Sequence, residues 1–313
     1  MPEKILSKNN KIIIILGPTS SGKSAVAISL AKKFQGEIIS ADSRQVYRGL
    51  DIGTGKEPGK WDVKKKLYIS QNIPHYLIDN ISPRTEYNAA KFKKDCDKII
   101  ADILKRGKLP IVCGGTGFWI KALVDNVVYP EVAPNWKLRE KLNKKSTETL
   151  FKELQKLDPK RARTIDQKNP VRLIRAIEIC KALGSVPNTE NQTLDNKYQF
   201  LQIGISLSKE KLQARIKLRL QKRFSTGMIS EVETLHFEKK LSWKKLESFG
   251  LGYKFIPQYL KKEIATKEDL FEKVLQSEKD YAKRQMTWFQ KDKRIIWIDK
   301  YKEIKIKVKD FLK

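Results

Sequence analysis

"LGPTSSGKSA", residues 16–25, decides the fold. Gly17 to Ser24 satisfies the eight-residue pattern GxxxxGK[ST], and it stands in the context that its chemistry needs. Before it, "KIIIILG" (11–17) is an unbroken β-branched run closed by glycine, the mark of a buried strand. After it, "SAVAISLAKKF" (24–34) has helical spacing, and Gln35-Gly36 reads as its end, with the glycine as C-cap. A strand that enters a helix through such a loop aims backbone N–H groups at phosphate oxygens, and the helix N-terminus adds positive potential. Gly17, Pro18, Thr19, Ser20, Ser21 and Gly22 would form the cradle, Lys23 would reach the outer phosphate, and the Ser24 hydroxyl would ligate Mg²⁺. The motif specifies a di- or triphosphate and no nucleoside. On the loop alone, a small-molecule kinase and an RNA-stimulated, ATP-binding ATPase stay open.

Outward from the loop, strands alternate with helices. "EIISADS" (37–43), "PHYLID" (74–79), "LPIVCGG" (109–115), "FLQIGISL" (200–207) and "RIIWID" (294–299) read as strands. "NAAKFKKDCDKIIADILKRG" (88–107) is an amphipathic helix with Ala89, Phe92, Cys96, Ile99, Ile100, Ile103 and Leu104 on its apolar stripe. The alternation predicts an α/β fold, a doubly wound, P-loop-type parallel sheet flanked by helices. Residues 131–196 differ: they read as helical, with no buried-strand run. "NPVRLIRAIEICKALG" (169–184) has Asn169 as N-cap, Pro170 at the first helical position and Gly184 past the end. The expected organisation is a core over 1–130 and 197–313 with a helical C-terminal part, carrying a helical insert over 131–196.

Composition narrows the partners. The 313 residues suggest about two domains. Against 36 acidic residues stand 65 Lys and Arg, a formal charge of +29, which favours a polyanionic partner unless the lysines merely fill surface positions. Cys96, Cys113 and Cys180 lie scattered in apolar contexts, as suits a reducing cytoplasm, and with His75 and His236 they make no zinc spacing. The polar start "MPEKILSKNN" is no signal peptide, and "IIIIL" is too short to span a bilayer. A soluble, cytoplasmic monomer with no membrane or obligate protein partner is expected.

Two further loops leave predicted strands. Asp42 in "SADSRQVYRGLDIGTGKEP" (40–58) sits at a strand's carboxyl end, where ligand crevices open. It could serve as a general base, an outer-shell Mg²⁺ partner or a helix cap. "CGGTG" (113–117) sets Thr116 among glycines that allow close backbone approach. In "KLQARIKLRLQKRF" (211–224), Lys211, Arg215, Arg219 and Arg223 form a row four apart, read as mostly a solvated charged face.

Taken in order, "GPTSSGKS", "ISADSRQVYRGLDIGTGK", "GGTGFWIKAL", "NPVRLIRAIEI", "GLGYK" and "AKRQMTWF" closely resemble the tRNA dimethylallyltransferases, in their compact bacterial form, over about residues 11–299. The resemblance implies transfer of a dimethylallyl group from dimethylallyl diphosphate to the exocyclic amine of the adenine 3′ of the anticodon, in tRNAs reading codons that begin with U, with Mg²⁺. The phosphate loop then holds the donor's diphosphate. The resemblance further implies that Asp42 is the base, Thr116 lies at the channel and Arg223 stabilises the leaving group. It places Asp42, Ser43, Arg44, Gln45, Arg139, Arg172, Arg175, Gly252, Tyr253 and Lys254 at the tRNA, with the insert gripping the anticodon stem-loop. Phe249 stands where some members carry an arginine, so no contact is expected there. Trp119 and Phe118 are expected in the core, and His75 and His236 in structural roles.

Overall fold

The computed structural model describes residues 10–64, 67–187 and 197–313. Most of the polar connector read at 188–199 lies outside them. The chain forms two compact units, Met1–Asp125 with Asn196–Lys313, and Asn126–Asp195.

Among the described residues, the larger unit holds one eight-stranded sheet: β1 (Lys11–Leu16), β2 (Gly36–Ser40), β3 (Lys60–Asp62), β4 (Leu67–Ser70), β5 (Ile73–Tyr76), β6 (Leu109–Gly114), β7 (Gln199–Ile205) and β8 (Ile296–Ile298). The order is β3-β4-β5-β2-β6-β1-β7-β8. From β5 to β8 the strands are parallel, but β3 and β4 pair antiparallel at one edge, so the sheet is mixed rather than wholly parallel. The hairpin escaped the sequence reading because its strands are three and four residues long and alternate only weakly.

The helices of this unit are α1 (Lys23–Phe34), α2 (Ala89–Lys105), α3 (Gly117–Val124), then, after the insert, α8 (Lys209–Ser225), α9 (Met228–Glu233), α10 (Trp243–Ser248), α11 (Gly252–Leu260), α12 (Lys267–Phe289) and α13 (Tyr301–Leu312). Side chains of β1 alternate between faces, and both faces are covered. Ile13 and Ile15 pack with Ala27, Ile28 and Leu30 of α1 and with Ile304 and Val308 of α13, while Ile12, Ile14 and Leu16 are equally buried. That double burial is why the run is apolar without interruption.

The end of α1 departs from expectation. Gln35, not Gly36, takes the left-handed turn (φ 52°), and Gly36 opens β2. A Cβ at Gly36 would meet Ile111 Cδ1 at 2.8 Å and the Leu109 carbonyl at 2.9 Å, so the glycine serves strand packing. All three cysteines are buried and unpaired. No helix among the described residues is long and apolar enough to cross a membrane.

The smaller unit consists of α4 (Trp136–Asn143), α5 (Thr147–Leu157), α6 (Pro159–Thr164) and α7 (Pro170–Leu183). Leu142, Leu150, Leu154, Leu173, Ile174 and Ile177 form its core. Asn135, Ser146, Asp158 and Asn169 each cap the helix that follows by accepting a backbone N–H. Each such cap is worth about 1 kcal/mol.

Candidate active site

Strands β2, β6 and β1 are neighbours, so the loops leaving their carboxyl ends meet. In the first loop Gly17 (φ 143°) and Gly22 (φ 96°) hold angles that other residues rarely adopt. Ser20 Oγ and Ser21 Oγ are buried without hydrogen-bond partners, which leaves both able to bond an oxyanion. Lys23 Nζ donates to the Pro18 carbonyl at 2.6 Å. Burial is the main cause that lowers the Lys23 pKa, to about 8, with Arg219 adding to the shift and Cys113 and Asp42 opposing it. A buried ammonium bonded only to its own loop is poised to exchange that carbonyl for an anion.

Helix α8 supplies more positive charge than its sequence suggested. Arg215 Nη1 donates to the Ser21 carbonyl at 3.3 Å, and Arg219 reaches Thr19 Oγ1 at 3.4 Å and the Gly55 carbonyl at 2.7 Å. Arg215 remains exposed, as expected for most of the row, while Arg219 departs from that expectation and turns onto the phosphate loop. Burial and the neighbouring Arg223 cation both depress the Arg219 pKa.

The second loop presents Asp42. Its Oδ1 accepts from the N–H groups of Arg44 (2.9 Å) and Gln45 (3.3 Å), which fixes the carboxylate and leaves Oδ2 available. Thr116 Oγ1 accepts from the Ser43 N–H at 3.0 Å, so the third loop braces the second. Gln45 Nε2 holds the carbonyls of Thr54 and Gly55. Glu231 accepts from the N–H groups of Asp51, Ile52 and Gly53, pinning the loop opposite. Arg44 donates from Nε to the Phe249 carbonyl at 2.5 Å, with its guanidinium over the Tyr281 ring. Thr19, Lys23, Ser24, Asp42, Arg219 and Gln285 line one cavity. Anion-binding cations and a carboxylate thus share a space too polar for an apolar cofactor.

Residues 45–292 match the family model for IPP transferases. The chain belongs to the IPP transferase family. It is thereby a prenyl-transferring enzyme. The tRNA dimethylallyltransferase of Acetivibrio thermocellus is 41% identical over 298 residues, covering 93% of this chain and 92% of that one. That of Halothermothrix orenii is 36% identical, covering 99% and 96%. The crystal structure of the full-length tRNA isopentenylpyrophosphate transferase of Bacillus halodurans superposes with a TM-score of 0.69 at 31% identity, over 97% of both chains. A eukaryotic dimethylallyltransferase captured acting on tRNA gives 0.72 at 28% identity, over 90% of this chain and 70% of that one.

Within this transferase the residues singled out by resemblance fare unequally. Arg223 is only 8% exposed; it donates to the Gly53 carbonyl at 2.8 Å and pairs with Glu278, itself 2% exposed. Arg223 lines the same cavity and keeps a buried Nε without a partner, while Arg219 is the arginine that also reaches the phosphate loop. Tyr253 is buried, its hydroxyl donating to Glu231 at 2.6 Å. A Cβ at Gly252 would fall 2.0 Å from Met228 Cε. Packing therefore explains Gly252 and Tyr253, which are not available as tRNA contacts, whereas Lys254 is exposed. In the smaller unit Arg139 grips Glu178 through Nε (2.9 Å) and Nη2 (2.8 Å), and Arg175 pairs with the same carboxylate. Burial raises the Glu178 pKa, but hydrogen bonds from Arg139, the Asn135 N–H and Arg175 outweigh it and hold the value at about 2. Arg139 and Arg175 are committed to that carboxylate; Arg172 is exposed, with Asp166 as distant as 3.9 Å.

Trp119 stacks on Phe92 in the core, but Phe118 is exposed and meets Trp288 edge-on, because α3 turns that position outward. His75 is buried against the Ile73 carbonyl, and His236 stacks on Trp243. The Phe249 ring packs on Tyr47. Sequence reasoning missed Arg215, Arg219, Tyr281 and Gln285. The last two lie inside or just before "AKRQMTWF", which marked the region without assigning roles.

Proposed function

We propose that the enzyme transfers a dimethylallyl group from dimethylallyl diphosphate to the exocyclic amine of the adenine 3′-adjacent to the anticodon, in tRNAs that read codons beginning with U. The observation that carries this reading is the single cavity in which a phosphate loop, Lys23 and Arg219 face the Asp42 carboxylate. The donor's diphosphate occupies Gly17–Ser24 and takes the place of the Pro18 carbonyl on Lys23. The amine nitrogen attacks the allylic carbon, the carbon–oxygen bond breaks, and diphosphate leaves with the bonding pair. Lys23 and Arg219 stabilise the charge that develops on it. Asp42 Oδ2 takes the proton from the amine, whose lone pair is otherwise delocalised into the ring.

A divalent ion fits the donor set. Among the described residues no three His, Cys, Asp or Glu cluster to hold a metal by themselves. Ser24 and Asp42 do line the cavity; Mg²⁺ keeps several waters and takes few protein ligands beside substrate phosphates, and the Ser/Thr hydroxyl of a phosphate loop is one such ligand. Bound there, Mg²⁺ would neutralise diphosphate charge. The target base leaves its stack to enter the cavity, a step that costs a few kcal/mol. Ser43, Arg44 and Gln45 lie beside Asp42 to receive it. The smaller unit, with exposed Arg172, and Lys254 on the larger would meet the phosphates of the anticodon stem-loop. The test is incorporation of label from dimethylallyl diphosphate into unmodified tRNA with Mg²⁺. Labelled tRNA is the expected result; consumption of ATP with no incorporation would overturn the reading.

A further inference from the structure

One side chain joins the two halves of the site. Gln285, on α12 and 7% exposed, accepts the Thr19 N–H through Oε1 at 2.8 Å and donates from Nε2 to the Gly115 carbonyl at 2.8 Å. Each partner belongs to a peptide unit whose other end is also engaged. The Pro18–Thr19 unit gives its carbonyl to Lys23 Nζ at 2.6 Å. The Gly115–Thr116 unit gives its N–H to the carbonyl of Ala41, the residue before Asp42, at 3.1 Å. Thr116 Oγ1 accepts from the Ser43 N–H on the other side of Asp42 at 3.0 Å. Hydrogen bonds therefore run from the Lys23 ammonium to the backbone on both flanks of Asp42, and the Gln285 amide links the two loops.

The amide is matched to this place. It must accept at one end and donate at the other, which a carboxylate of the same length does not do. Asparagine is one methylene too short. Gly115 bears the imprint of the contact, since a Cβ there would lie 2.2 Å from Gln285 Nε2. Gly117, the first residue of α3, is cleared in the same way by Trp288 of α12, whose Cδ1 a Cβ would approach to 2.2 Å. The third loop and the start of α3 thus have no room for side chains at these two positions, because α12 lies against them.

We propose that Gln285 is a positioning residue for the transfer: it sets the distance between the cation that receives the leaving diphosphate and the carboxylate that receives the amine proton. The inference rests on the functional reading above. Both groups must act on one molecule of each substrate at once, and a slip of about 1 Å between them costs on the order of 100-fold in rate. Neither anion binding nor base binding alone depends on that separation. The signature is a loss of turnover with binding retained.

The experiment uses the full chain with Gln285→Glu and Gln285→Met, and Gly115→Ala to press on the amide from the other side. Single-turnover rate at saturating dimethylallyl diphosphate and tRNA is measured beside the Kd for inorganic pyrophosphate with Mg²⁺ and the melting temperature. The expected outcome is a rate about 10- to 100-fold lower, with pyrophosphate Kd changed less than about threefold. The double variant Gln285→Met/Gly115→Ala should be no slower than the slower single variant, because both break one connection. Should the methionine variant not fold, Gln285→Glu and Gly115→Ala decide. Wild-type rates in the Gln285 variants, a loss confined to pyrophosphate affinity, or additive losses in the double variant would overturn the inference. Lys23→Ala separates the two levels. If it binds pyrophosphate as wild type does, the reading of the loop falls; if it binds weakly while the Gln285 variants turn over normally, only this inference falls.

Discussion

Helix α8 in the larger unit and helix α7 in the smaller each carry arginines spaced along one face, Arg215, Arg219 and Arg223 on the first, Arg172 and Arg175 on the second. As sequence they look alike. In the folded chain their availability differs, and carboxylates make much of the difference. Arg223 is bound to Glu278 and Arg175 to Glu178, while Arg219 has carbonyl and hydroxyl oxygens for partners and Arg172 faces water. An arginine held by a buried carboxylate braces the fold; one held by neutral acceptors can trade them for a phosphate. On α8 Arg215 and Arg219 have neutral acceptors and Arg223 a buried carboxylate, whereas on α7 Arg175 has the buried carboxylate and Arg172 only a distant one.

The sharpest way to break this comparison is at Arg219. Arg219→Ala should lower single-turnover kcat by about 100- to 1000-fold, the scale for removing a preorganised donor from a developing anion. Arg219→Lys keeps the charge but not the fork that spans Thr19 Oγ1 and the Gly55 carbonyl, and should recover only part of the rate. If Arg223→Ala, in a variant that still folds, costs more turnover than Arg219→Ala, the assignment of roles along α8 is reversed.

The bracing arginines make the complementary prediction, on stability. Glu178→Ala strands two guanidinium groups, both partly solvated, and should destabilise the smaller unit by about 2–3 kcal/mol, below the range for a fully buried pair. The pH dependence has a definite sign. The folded value of about 2 lies below the ordinary 4.5, so the stabilisation is complete above pH 4.5 and is lost as pH falls toward 2. Thermal melts of wild type and Glu178→Gln across that window check it: the two curves should converge at the acid end.

How far the site was legible in the sequence follows from the range of its contacts. The phosphate loop is one contiguous stretch, and Asp42 follows from the rule that strand ends face ligands; both were readable. Arg219 meets Thr19 across 200 residues and Gln285 meets it across 266, and helical periodicity carries no information about what a polar row will face. Tyr253 and Gly252 misled for a related reason. Their motif is real, but what it encodes is support for Glu231, which anchors the Asp51–Gly53 backbone. Sheet order was hidden too: β6 lies between β1 and β2, and that interposition is what brings Thr116 to Ser43.

Lys23 offers a smaller and cleaner effect. Its pKa, lowered from 10.5 to about 8, means that the free protein loses this proton above pH 8, while a bound diphosphate requires the ammonium. Pyrophosphate affinity should be flat below about pH 8 and fall roughly tenfold per pH unit above it. The same depression leaves the unfolded chain binding the proton more tightly, so this group's contribution to stability rises with pH between 8 and 10.5. In Lys23→Gln the break in the binding profile near pH 8 should vanish, with affinity lower throughout. A break that persists would assign the titration to another group.

The smallest effect belongs to the solvent-facing member of α7. Arg172 has a half-exposed side chain and a carboxylate no nearer than 3.9 Å, so Arg172→Ala should leave the melting temperature unchanged. If Arg172 meets an RNA phosphate, the variant should raise the KM for tRNA only a few-fold, leave kcat alone, and reduce the slope of log affinity against log salt by about 1. Arg175→Ala, one turn on, should behave oppositely, lowering the melting temperature because Glu178 loses a partner while the salt slope stays as in wild type. With a chain of net charge +29, many lysines share the electrostatic attraction, and that is why one phosphate contact changes so little. The salt slope is therefore the more discriminating measurement: a uniform loss of affinity with an unaltered slope would mean that Arg172 touches no phosphate and that α7 contributes fold alone.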